Sequence, residues 1–94
     1  MRKIESYLER AVCDEVKRRG GRAFKWVSPG NTGVPDRICI LPGGRVIFAE
    51  LKRPGLKDGL SPRQKKIIRL LEHLGCTVWR IDNIEDFRRR LDEV

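Results

Sequence analysis

Two apolar runs separated by three turn-forming residues constrain this chain more than any other feature. Residues 36–41 and 45–52 are largely apolar on both faces, and Pro42-Gly43-Gly44 lies between them. Runs of this kind read as strands, and the Pro-Gly-Gly link as a hairpin turn. A strand that is apolar on both sides needs cover on both, so the pair is expected at the centre of a sheet. If the turn takes three residues, Leu41 pairs with Arg45, and counting back along the ladder sets Asp36 opposite Glu50. A two-residue loop would shift the register and break that pairing unless a bulge restored it.

The flanking segments complete the frame. Ile4, Leu8, Ala11, Val12 and Val16 recur at three- and four-residue steps, which predicts a helix over 3–19 ended by Gly20-Gly21. Residues 22–27 alternate polar and apolar as a half-buried strand does, and Ser28 to Gly33 have loop composition. Ser61-Pro62 predicts an N-cap and a proline-started helix running to His73 or Leu74, with Ile67, Ile68, Leu70, Leu71 and Leu74 on its inner side. Residues 76–81 read as a further strand, and Asp82 or Asn83 caps a last helix over 84–91. The order is helix, three strands, helix, strand, helix. That is an α/β fold with a mixed central sheet flanked by helices, in a single domain spanning 1–94.

Charge narrows the partners. The 94 residues carry 21 Lys and Arg against 13 Asp and Glu, a net charge of +8. A small domain this basic is expected to meet a polyanion, with nucleic acid the first candidate. Cys13, Cys39 and Cys76 are odd in number and show no CxxC spacing, which argues against a disulfide framework or a zinc site. No run approaches the roughly 18 apolar residues of a membrane span. A soluble protein of the reducing cytoplasm is expected, with no membrane partner.

Three charges at the end of otherwise apolar central strands need an explanation. Period-two geometry puts Glu50 and Lys52 on one face of their strand, and the hairpin register brings Asp36 to the same place. Two carboxylates a few ångströms apart repel each other, yet together form an oxygen site for Mg²⁺ or Mn²⁺. Such an ion polarises a phosphoryl oxygen and acidifies water, and a neighbouring lysine can orient that water or offset charge in the transition state. The competing explanation is a structural cross-strand ion pair. It suits a lone ExK better than it suits one with Pro-Asp upstream at hairpin distance in a basic chain.

Pro35-Asp36, followed by Glu50-Leu51-Lys52, resembles the PD-(D/E)XK nuclease signature. The wider string, Lys25 to Gly30, Gly33 to Arg37 and Pro54-Gly55, resembles the compact VRR-NUC branch of stand-alone phage and bacterial proteins. The resemblance covers nearly the whole chain. It implies a metal-dependent nuclease with a restriction-endonuclease-like αβββαβ core, often dimeric and related in arrangement to Holliday-junction resolvases. It also implies a glutamate on the first helix as a metal ligand. Glu9 and Glu5 compete for that role; Glu9 has the family spacing, while Glu5 projects closer to the centre of the apolar stripe. The Leu51 backbone carbonyl would be a further ligand. Gln64 matches a family glutamine near the site, and Lys25 a lysine on the strand before the loop.

Other residues are expected to meet nucleic acid from their position alone. Arg53, Lys57 and Arg63 follow the ExK strand closely and suit backbone phosphates, and Ser28 and Asn31 occupy the loop before Gly33. Arg88-Arg89-Arg90 reads as a solvated helix face, His73 as surface, and Trp26 and Trp79 as packing residues. The expected activity is metal-dependent endonucleolytic cleavage of DNA, probing branched or four-way-junction structures as a homodimer. The alternative is a catalytically silent nucleic-acid-binding module that keeps the fold; RNA is a further substrate class. Retention of converging charges argues against the silent form.

Overall fold

The structure, a computed structural model, describes residues 3–55 and 59–94. Helix α1 (Lys3–Arg18) buries Leu8, Val12 and Val16, the four-residue stripe expected of it. Its end is closed by two backbone bonds: Gly21 N–H donates to the Val16 carbonyl and Gly20 N–H to the Lys17 carbonyl, both at 2.9 Å. Gly20 takes a φ of +90°, the left-handed conformation that this closure requires and that a side chain disfavours.

Four strands follow the expected order: β1 (Arg22–Lys25), β2 (Arg37–Leu41), β3 (Arg45–Leu51) and β4 (Thr77–Ile81). They form one mixed sheet in the order β1-β2-β3-β4, antiparallel across the first two pairs and parallel between β3 and β4. The turn does take three residues, since Leu41 faces Arg45 and Arg37 faces Ala49. Strand β1 stops two residues short of expectation. Trp26 N–H still donates to the Asp36 carbonyl at 3.0 Å, so the chain stays alongside β2 beyond the strand's end.

One face of the sheet is the core. Cys39, Leu41, Ile47, Ala49, Leu51 and Ile81 lie under α1 and under α3 (Ile84–Glu93), which contributes Ile84, Phe87 and Leu91. Asn83 caps α3, its side-chain oxygen accepting from Asp86 N–H at 2.8 Å.

The other face departs from expectation. Helix α2 (Pro62–His73) lies against β4 and buries none of its residues. Ile67, Ile68 and Leu71 are half-buried, but Leu70 and Leu74 are 52% and 67% exposed. A single helix over the β4 edge cannot reach across four strands, so Phe24, Ile40 and Val46 stay open on the β1–β2 side. The two-sided apolar pattern of β2 and β3 therefore reflects one covered face and one partly bare. No described helix is long and apolar enough to cross a membrane.

Candidate active site

The site forms where β2 begins and β3 ends. Beyond the Arg37–Ala49 pair, the next positions along the ladder are Asp36 and Glu50. Pro35 is fully buried and anchors the turn into Asp36. The Asp36 carboxylate accepts a hydrogen bond from Leu51 N–H at 2.8 Å, which ties it across to β3. Glu50 is only 2% exposed, and its Oε2 lies 2.8 Å from Gln64 Nε2 and 3.4 Å from Lys52 Nζ.

Gln64 arrives there through the cap of α2. Ser61 Oγ accepts from Gln64 N–H at 3.1 Å, while Gln64 Oε1 accepts from Ser61 N–H at 3.0 Å. This reciprocal capping box fixes which end of the amide faces the strand. With Oε1 engaged, the Nε2 donor is left for the carboxylate.

Arg37, next to Asp36, points to the opposite face by strand alternation and meets α1 there. Its guanidinium donates twice to Glu9 Oε2, at 2.8 and 3.2 Å. Glu9 thus approaches from the helix side. Glu9, Asp36, Glu50, Leu51, Lys52 and Gln64 line one cleft of about 230 Å³.

Among family models, none matches the chain. A protein of Acyrthosiphon pisum secondary endosymbiont phage 1, described as "Putative nuclease p44", is 51% identical over 79 residues, 84% of this chain and 83% of that protein. A solved structure described as a VRR_NUC domain superposes with a TM-score of 0.86 over 95% of each chain, at 22% identity, a likeness of fold. This chain belongs to the family of that phage nuclease, and its fold is that of the VRR_NUC domain.

In this chain, Glu50 carries the electrostatic signature of the cleft. Burial first, and the negative charge of Asp36 second, push its carboxyl up to about 7, against the opposing pull of Lys52. A cation held between the two carboxylates would favour their ionised forms. Asp36, Glu50 and the Leu51 carbonyl are hard oxygen donors, and this set suits Mg²⁺ or Mn²⁺, which keep several waters when bound. Glu9 is the exception. It is committed to Arg37, and among the described residues no three His, Cys, Asp or Glu side chains are placed to hold an ion.

The remaining expected residues spread around this centre. Lys25 is exposed and pairs in register with Arg37, which puts it on the face away from Glu50 and outside the cleft lining. Asn31 N–H donates to the Ser28 carbonyl at 3.0 Å, so that backbone donor is spent on a turn and does not face outward for a ligand. Arg53 and Arg63 are exposed beside the cleft. Lys57 lies outside the described residues, as does the side chain of Glu5. Trp26 stacks at a tilt on Phe48 at 5.0 Å and Trp79 edge-on with Phe87 at 6.0 Å, both as packing residues.

Two contacts had no reading in the sequence. Arg37 holding Glu9 was signalled only by its opposite parity to Asp36. Ser61 orienting Gln64 was signalled by Ser-x-x-Gln, the capping-box spacing.

Proposed function

We propose that the chain is a divalent-metal-dependent endonuclease that hydrolyses DNA phosphodiester bonds in the cleft, selects branched DNA such as a four-way junction, and works as a homodimer in the cytoplasm of a bacterium or phage-infected cell. The observation that carries this reading is Glu50: a buried carboxylate set beside Asp36, between Lys52 and Gln64, with its affinity for a proton raised first by burial and then by the neighbouring acid. A bound Mg²⁺ or Mn²⁺ would supply the charge that polarises a phosphoryl oxygen and makes water more acidic.

Asp36, Glu50 and the Leu51 carbonyl are the groups that would hold it. The Leu51 N–H keeps Asp36 in place, and Gln64 keeps Glu50. Lys52, 3.4 Å from Glu50, is the cation that lines the cleft. It would orient the attacking water and then face the extra negative charge that builds on the phosphate. Water adds to phosphorus, one P–O bond to a sugar oxygen breaks, and that oxygen takes up a proton. Glu9 would join only by sharing its carboxylate with Arg37.

The homodimer is supported by the bare half of the sheet. Phe24, Ile40 and Val46 on the sheet, and Leu70 and Leu74 on α2, expose apolar side chains that a second copy would cover. The three cysteines are free, and burial pushes the Cys39 thiol up to about 12, which leaves it inert in a reducing compartment.

The test is a cleavage panel of single-stranded, duplex, flap and four-way-junction DNA with Mg²⁺ or Mn²⁺, and the matching RNA duplex. Asp36→Asn, Glu50→Gln and Lys52→Ala should each lower cleavage by at least about 10²-fold with folding retained, the scale of losing one preorganised group. Glu50→Gln cutting at the wild-type rate would remove this site from consideration.

A further inference from the structure

On the flank of α1 away from Glu9 lies a second, larger hollow. At about 100° per residue, the side of α1 bearing Tyr7, Ala11 and Arg18 is roughly opposite the side bearing Glu9. There α1 meets α3 in a groove of about 530 Å³, lined among others by Tyr7, Arg10, Asp14, Glu15, Arg18 and Arg88.

Its organising group is Glu15, 4% exposed and in contact with three guanidiniums at once. Glu15 Oε1 accepts from Arg88 Nε at 3.1 Å and Oε2 from Arg19 Nε at 2.7 Å, while Arg18 donates to both oxygens. Arg19 also reaches Asp92 at 2.8 Å. One buried carboxylate needs one partner cation, and here it holds three in fixed positions. Arg18 and Arg88 stay more than half exposed, so their remaining N–H donors face solvent without the entropy of a free side chain. Arg10 stands on the same groove, exposed, with no ion pair among the described residues. Asp14 is the one further acid in the lining.

We propose that the α1–α3 groove is a second contact surface for the phosphodiester backbone of nucleic acid, beyond the cleft. Guanidiniums held in place match phosphate oxygens two at a time. Exposed Tyr7 adds a ring and a hydroxyl at the mouth of the groove. Among the described basic residues, Arg18, Arg19 and Arg88 are the ones whose direction is fixed by a buried acid on the far side of α1 from the reacting groups, and Arg10 stands beside them. The inference rests on the nuclease reading for its partner and adds where the chain holds nucleic acid that it does not cut.

Binding of a labelled four-way junction and a long duplex by the full chain, in Ca²⁺ or EDTA across a salt series, tests it. Arg10→Glu leaves the Glu15 network untouched. It should weaken binding roughly tenfold and flatten the slope of log K against log salt by about 1, with the thermal midpoint unchanged. Arg10→Lys should restore the slope. Arg69→Glu, the same charge reversal on exposed α2, should change affinity by less than about twofold. Arg10→Glu binding like the wild type, or Arg69→Glu losing as much, would overturn the groove and leave the cleft standing. A wild-type chain that binds no nucleic acid would overturn both.

Discussion

Gln64 uses the two ends of one amide for two different tasks. Its oxygen closes the cap of α2 and its nitrogen holds Glu50, so a residue that starts a helix also sets the angle of a buried acid. Gln64→Ala is therefore expected to lower cleavage about 10- to 100-fold, as loss of a group that orients a ligand does. Single-turnover rates measure this, and a wild-type rate would reduce Gln64 to a helix cap. Asp36, Glu50 and Lys52 were legible as neighbours because strand parity follows from sequence, given the three-residue turn, which the sequence left as one of two options and the structure adopts. The Arg37–Glu9 pair was not. Whether a helix side chain meets a given strand residue depends on how the helix is rotated over the sheet, and no local pattern fixes that rotation.

The elements were legible wherever one side was buried under another layer. The α1 stripe, the Ser61 and Asn83 caps and the register of β2 on β3 all follow from local spacing, and all are present. The α2 stripe misled, because its apolar residues promise a buried side that four strands and one helix do not provide. Glu15 adds a polar link between α1 and α3 beside their shared apolar core. Its three arginines, Arg18 foremost, hold its carboxyl at about 2 instead of the usual 4.5. Because the folded value is the lower one, this stabilisation is complete above about pH 4.5 and is lost as pH falls towards 2. Glu15→Gln should cost about 2 kcal/mol at pH 7 and flatten the acid limb of the stability curve, seen in denaturant melts from pH 7 to 2. An unchanged acid limb would mean the cluster is decorative. Gly33 joins the loop before Asp36 to the start of α2. It has a φ of +93°, and an added Cβ would come 2.7 Å from Arg63 Cγ and 3.0 Å from the Arg63 carbonyl oxygen. Gly33→Ala should push α2 outward and carry Gln64 off Glu50. Cleavage should drop at least as far as in Gln64→Ala, while the far-UV helix signal is kept.

As a whole molecule, the chain packs one face of its sheet densely and leaves half of the other bare. Phe24 is 46% exposed there, on the edge strand β1 opposite Ile38 of β2. Phe24→Asp should leave the monomer folded, since that side chain is not in the core cluster, and should shift sedimentation from dimer to monomer. Sedimentation as a monomer by the unsubstituted chain would remove the homodimer from the reading. On the homodimer reading, the bare face has a consequence in time. The first copies made have nothing to cover their sheets, and association depends on the square of their number. Dosage then sets the share of paired copies: a trickle of synthesis leaves most of them single, and a burst of it pairs them all at once.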